Sequence, residues 1–339
     1  MNKENLLKNI PFSVLDLVPV IQGSSHKTAM ENSLALAQKA EDLGFKRFWI
    51  SEHHNADSLV SSATPLLIGY IAENTNKIRV GSGGVMLPNH APLIVAEQFG
   101  TLATLYPDRI DLGLGRAPGT DQLTAKALRR ERTETVNDFP NDVQELQHYF
   151  SKNNAHSPVR AIPGESLEVP LYLLGSSTYS AQLAGALGLP YAFASHFAPT
   201  HLHDALRLYH SNFGTSKQLN TPYTMACVNV VIADTDEEAE YLATSMKIFM
   251  LNVIRNTRQP LQPPVKSMDG LWNPMEEAHI SQMMQYSFVG SKETVRKKLT
   301  DFVAQTRIDE LITVAHIYDQ KARLNSFELL AQLQKENSV

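Results

Sequence analysis

Residues 45–87 read FKRFWISEHHNADSLVSSATPLLIGYIAENTNKIRVGSGGVML, and the alternation within them decides the fold. A short β-rich apolar run, Arg47 to Ser51, passes through a polar turn into a helical pattern from Thr64 to Glu73, and then into a second apolar run from Ile78 to Leu87. A helix between two strands is a crossover connection, which sets neighbouring strands parallel. The same alternation extends outward in both directions. Upstream lie a strand from Phe12 to Leu17 and a helix from Thr28 to Leu43, with Thr28 as its N-cap and Gly44 as its stop. Downstream come a helix from Leu93 to Leu105, a strand from Ile110 to Leu114, and a long helix from Thr133 to Phe150. Strand five is Pro170 to Leu174, and a helix from Ser177 to Leu187 leads to strand six, Tyr191 to Ala194. A helix from Pro199 to Phe213 precedes strand seven, Tyr223 to Ala233. Helices from Asp236 to Leu251 and from Ser291 to Ala304 come before strand eight, Leu311 to Ala315, and a last helix runs from Leu324 to Gln334. Eight strands alternating with helices predict an α/β fold, a (β/α)8 TIM barrel with an insertion between strands seven and eight, built as one domain over residues 1–339. An open doubly wound sheet uses the same elements, so the count alone leaves that alternative open.

Composition narrows the function classes. The 339 residues are 43% hydrophobic and 19% charged, which suits a folded globular chain with a large core. A net charge of −5 gives no general attraction to nucleic acid or to an anionic membrane. The one basic run, Arg129, Arg130 and Arg132, reads as a solvated helix start. The sole cysteine, Cys227, rules out an internal disulfide framework and a multi-cysteine metal site, and its apolar neighbours mark a buried thiol. No apolar stretch approaches the roughly 20 residues that span a bilayer, and Met1 to Pro11 lacks a secretory signal pattern. A cytoplasmic location is expected.

In a parallel barrel, chemistry gathers where the strands end. Four strand ends carry informative residues. The first is Glu52-His53-His54. Adjacent histidines on an extended segment point apart, so a shared ion would need a bend; the alternatives are packing or acid/base work beside a ligand, and no metal is expected. The second is Gly83-Gly84, where missing side chains let a flat ring approach the main chain, or mark a bulge or a tight contact. The third is Arg116, a fixed cation after Gly115. The fourth is Gly175-Ser176-Ser177 with Ser180, small hydroxyls and amides at a helix start that suit either a phosphate cradle or a plain cap. The dinucleotide, nucleophile-elbow and P-loop patterns all fail. The segment 255–286, with Trp272, His279, Met268, Met275, Met283 and Met284, is too aperiodic for a core element. It reads as a lid over an apolar ligand or a self-packed insertion. Phe12, Phe197 and Trp272 suit an apolar or amphipathic substrate, though core packing would also use them.

At this point the motifs WISEHHN, VGSGGVMLPNHAPLIVAEQFGTLATLYPDRIDLGLGRAPG, LYLLGSS and FVGSKETV resemble, in order and spacing, the luciferase-like flavin monooxygenases. The resemblance spans roughly residues 12–330. It implies a barrel, often dimeric, using reduced FMN and O2 on a small organic substrate, with a separate flavin reductase. Carried onto this chain, Glu52 and the Gly83-Gly84 peptide, in the cis form, would lie by the flavin ring. Arg116, Gly175, Ser176, Ser177 and Ser180 would bind its phosphate end, and His53 would be the catalytic acid/base. Gly115 stands where luciferase proper has a reactive cysteine, which argues against light emission. F420 could replace FMN. The competing classes are a flavin-binding protein without turnover and a metal-dependent hydrolase using Asp16, Glu52, His53 and His54.

Overall fold

The computed structural model describes residues 6–117, 120–128 and 138–335. A single turn, α1 (Leu6–Asn9), leads into β1 (Phe12–Asp16) and then α2 (His26–Leu43). The cap of α2 is Ser25, not Thr28: its hydroxyl accepts the Thr28 amide at 3.1 Å, which moves the helix start upstream of the sequence expectation. Gly44 ends the helix in the left-handed region at φ 87°, where a side chain would be strained. The units β2 (Arg47–Ile50) and α3 (Thr64–Glu73), then β3 (Arg79–Met86) and α4 (Pro92–Leu105), repeat the motif. Next come β4 (Ile110–Gly115), the short α5 (Gln122–Leu128) and α6 (Phe139–Phe150). The expected helix from Thr133 is described only from Phe139, and the run Arg129 to Arg132 lies outside the described residues. The chain continues through β5 (Leu171–Gly175), α7 (Thr178–Ala186), β6 (Tyr191–Phe193) and α8 (Leu202–Asn212). It then forms β7 (Thr224–Ala233), α9 (Asp236–Ile254), α10 (Pro274–Met283), β8 (Ser287–Ser291), α11 (Lys292–Thr306), β9 (Glu310–Val314) and α12 (Gln320–Lys335).

Eight parallel strands close a ring in the order β1, β2, β3, β4, β5, β6, β7, β9, and β9 returns to β1. An open sheet is therefore excluded. The ninth strand, β8, was not expected. The first half of β7 pairs with β9 over Met225 to Asn229, and its second half, Asn229 to Ala233, runs on past the ring and pairs with β8. Only Phe288 and Val289 are large and apolar in β8, and Ser291 caps α11 at once, so no strand-length apolar run exists to be read. The insertion between β7 and the last ring strand also contains α10, which a capping box between Asn273 and Glu276 and Pro274 in its first turn start.

Apolar side chains divide into an outer layer between strands and helices, which includes Phe12, and an inner group within the barrel. The inner group includes Leu15, Trp49, Cys227 and Ile312. Below it the barrel is plugged by charge. Arg47 of β2 donates to Asp111 of β4 at 2.6 Å and to Glu310 of β9 at 2.7 Å, with all three side chains at most 3% exposed. Tyr172, Trp49 and Ser13 complete the network by hydrogen bonds of 2.8, 3.1 and 2.5 Å. A plugged base leaves the opposite, C-terminal end of the barrel as the place where a ligand can enter. No helix among the described residues is long and apolar enough to cross a membrane.

Candidate functional site

At the C-terminal ends of the ring strands the barrel opens into a cavity of about 790 Å³, within the range of small-molecule sites. Its wall includes Ser51 and His53, Gly83 and Gly84, Gly115 and Arg116, and Gly175, Ser176, Ser177 and Ser180. Four strand ends thus bring eight of the nine expected site residues to one wall; Glu52 is not part of that wall.

The Gly83-Gly84 peptide is cis. A methyl on Gly83 would sit 2.7 Å from the Leu15 side chain and 3.1 Å from Trp49 Cβ, and one on Gly84 would sit 2.8 Å from the Gly113 carbonyl. Packing therefore forbids side chains at both positions, leaving bare main chain at the cavity. A methyl on Gly115 of β4 would meet Met86 Sδ of the neighbouring β3 at 2.8 Å, so a side chain at this position has no room here. At Gly175 a Cβ would fall 2.1 Å from Ser180 Oγ, so this glycine makes room for the first turn of α7.

That turn is the cationic and donor-rich end of the site. Ser177 is the N-cap of α7, yet its side chain accepts no amide. Ser180 Oγ is already engaged, donating to the Ser177 carbonyl at 3.0 Å, so its part is structural in this arrangement. The hydroxyls of Ser176 and Ser177 have no partner among the described residues. Arg116 lies 4.2 Å from the centre of the Tyr179 ring and pairs with no carboxylate among them. Uncapped amides, two hydroxyls and a guanidinium resting over an aromatic ring match a phosphate monoester.

Glu52 does not face the cavity. Its Oε1 accepts from His54 Nε2 at 2.9 Å and His90 Nε2 at 2.8 Å, and its Oε2 accepts the Met86 amide at 3.2 Å. Burial raises its pKa, but hydrogen bonds from the two imidazoles and their charge outweigh burial and hold it at about 2. Glu52 is thus ionised and accepts only, so each imidazole presents its Nε2–H. These three are the only groups among the described residues close enough to share a metal ion. Asp16 instead pairs with Arg323 at 2.7 Å, so Asp16, Glu52, His53 and His54 do not form the single cluster a hydrolase would need. His53 turns the other way from His54: its Nδ1 is 3.0 Å from Ser51 Oγ, and burial lowers its pKa to about 4.

Two residues escaped the sequence reading, which ended strand six two residues before one and strand eight immediately before the other. His196 and His316 follow β6 and β9, are buried, and line the cavity. Their signal was the one that singled out His53, a histidine just past a strand end. Of the insertion's aromatic and methionine residues only Met283 lines the cavity; Trp272 lines a separate hollow of about 300 Å³ against α9, and Met275 is 83% exposed. Phe197 lines the wall, whereas Phe12 packs in the outer core. The insertion does reach the mouth through Arg258, which donates to the Asn55 carbonyl at 2.7 Å and to Asp121 Oδ2 at 3.0 Å. Cys227 lies in the floor, its thiol kept protonated by burial.

Comparison with known proteins agrees with this geometry. A model of the family described as luciferase-like monooxygenase matches residues 10–310. The chain belongs to that family. Within it, a luciferase-like monooxygenase of Escherichia coli K12 is 50% identical over 97% of this chain and 98% of its own. Apo-MsnO8 superposes with a TM-score of 0.86 at 33% identity, covering 97% of this chain and all of that one. Two more distant structures share the fold. The oxygenating constituent of 3,6-diketocamphane monooxygenase from Pseudomonas putida, in complex with FMN, has a TM-score of 0.71 at 18% identity, covering 98% and 99% of the two chains. An F420-dependent secondary alcohol dehydrogenase also reaches 0.71, at 14% identity over 97% and 100%.

Proposed function

We propose that this luciferase-like family member is an FMN-dependent monooxygenase, taking reduced FMN and O2 to a small, largely apolar organic substrate. The observation that carries the reading is the pairing of two features on one wall: an uncapped helix start with Ser176, Ser177 and Arg116, and the side-chain-free floor at Gly83-Gly84. The first fits a phosphate and the second a flat ring. When bound, reduced FMN supplies the electrons for oxygen chemistry, which is the cofactor's own.

The chain's residues do the rest. Arg116 and the α7 amides bind the phosphate. His53, neutral at pH 7 and anchored through Nδ1 by Ser51, leaves Nε2 as the atom that accepts or returns a proton at the wall. Glu52 acts as a positioning residue that fixes His54 and His90 and the Met86 amide next to the glycine floor. Arg258 ties the 255–286 segment across the mouth as a gate that excludes water. We place the protein in the cytoplasm as a homodimer served by a separate flavin reductase. Leu66 at 76% exposure and Tyr70 on α3, with Ile94 and Leu105 on α4, support the dimer by offering an apolar face.

Titration of the purified protein with oxidised FMN, reduced FMN and F420, followed by mixing the reduced-FMN sample with oxygen, tests the reading. Binding of reduced FMN and an oxygen-dependent change in flavin absorbance are expected. No binding of either form sinks it, and binding of F420 alone would make the chain a deazaflavin enzyme.

A further inference from the structure

The cavity has a second wall that phosphate and ring binding leave unused. Around the ring, β7 stands halfway from β3, so His196 after β6 and His316 after β9 flank the side facing Gly83-Gly84. Both rings are held firmly. His316 stacks on Phe249 of α9 with centres 4.6 Å apart and planes 18° apart, and His196 meets Phe197 edge-on at 4.8 Å. Asn229 Nδ2 donates to the His196 carbonyl at 2.6 Å, and Arg323 Nε to the Ala315 carbonyl at 3.1 Å, so the main chain beneath each ring is fixed as well. Yet both ring nitrogens of His316 and Nδ1 of His196 are buried with no hydrogen-bond partner among the described residues. Buried polar atoms that a fold fixes and leaves unbonded call for an explanation, and these two residues also line the cavity.

The surroundings define that ligand. Cys227, Ile312, Phe249 and Met250 make the adjoining wall apolar. Among the described residues the two lining Arg/Lys side chains lie elsewhere: Arg116 is on the β4 end, and Arg258 is committed to Asp121. Arg323, buried behind His316, is bound to Asp16 at 2.7 Å and to the Ala315 carbonyl and does not itself line the cavity. An anion on this wall would lose its hydration with no fixed positive charge to replace it. We propose that His196 and His316 form the substrate subsite, which receives an uncharged hydrogen-bonding group, a carbonyl or a hydroxyl, at the end of an apolar molecule and rejects carboxylates and sulfonates. Burial supports this by lowering both histidines to about 3, so that at pH 7 each ring offers one N–H and one lone pair rather than a positive charge. The assignment as substrate subsite rests on the flavin reading above; the preference for a neutral group does not.

Calorimetric titration with 2-octanone, octanoate and toluene at pH 7.5, on the protein alone and after FMN addition, tests it. The ketone is expected to bind at least tenfold more tightly than the carboxylate. His196→Phe and His316→Phe should each weaken the ketone at least fivefold while leaving toluene and FMN within twofold. Octanoate binding as tightly as the ketone, no ketone binding, or equal losses for ketone and toluene would overturn the proposal. Circular dichroism identifies a variant that fails to fold, and the wild-type comparison of ketone with carboxylate then decides alone. Failure of FMN to bind with the ketone preference intact would remove the flavin reading and keep the neutral subsite.

Discussion

Arg116→Met separates a phosphate cradle from an ordinary helix start. Arg116 has no carboxylate partner among the described residues and is held by the Tyr179 face, so its removal orphans no protein charge and should leave the fold unchanged. A hydrogen bond to a charged group is worth about 1.5–3 kcal/mol, and because Arg116 is only half-buried the lower part of that range applies, about 1.5–2 kcal/mol. At one decade per 1.4 kcal/mol, FMN affinity should fall roughly ten- to thirtyfold. Riboflavin, which lacks the phosphate, provides the internal control: its affinity should stay within twofold. Quenching of flavin fluorescence on titration measures both. An equal loss for FMN and riboflavin would place Arg116 at the ring rather than at the phosphate, and no loss for either would remove the cradle from the argument.

Three other outcomes follow from named contacts. Arg47→Met leaves Asp111 and Glu310 buried without their shared cation; Arg79 and Lys46 still reach them, so a loss of about 3 kcal/mol in urea unfolding is expected, and a loss under 1 kcal/mol would show the plug is not a stabilising network. His196 and His316 stay neutral in the folded protein down to about pH 3, whereas unfolded histidine takes a proton near 6.5. Their contribution is complete above pH 6.5 and is lost as pH falls toward 3, each adding up to about 1.4 kcal/mol of lost stability per pH unit; His316→Phe should therefore flatten the fall of urea midpoint between pH 6.5 and 4.5, and an unchanged slope counts against a buried neutral imidazole. Arg258→Ala frees the 255–286 segment from Asn55 and Asp121, and should raise hydrogen peroxide yield from reduced FMN and oxygen at least twofold with FMN affinity unchanged; an unaltered yield removes the gate.

How far the sequence could be read depends on whether a signal is local. Strand and helix alternation is local, and it placed the eight ring strands within a few residues. Glycine pairs, strand-end histidines and small residues before a helix are local too, which is why His53, Gly83, Gly84, Arg116, Ser176 and Ser177 could be named and prove to share one wall. Helix α10 carried a local signal as well, Asn273-Pro274-Met275-Glu276, but it lacks the apolar periodicity that would have drawn attention to it, since Ile280 alone is buried. What could not be read were properties created by packing. Glu52 looks in the sequence like a ligand-facing carboxylate, yet it is engaged by His54, the Met86 amide and His90, the last two brought in from β3 and the segment after it. Nor does any residue type announce that His316 will end with both nitrogens buried and unbonded. That property arises because Phe249, on the helix after β7, closes over a ring carried by β9, and the two meet only when the barrel shuts. The same closure puts an apolar, uncharged wall halfway around the ring from the glycine floor. If the two proposals hold, substrate choice in this barrel would be set by what β6, β7 and β9 bring together and cofactor choice by β3, β4 and β5, so the two could vary independently.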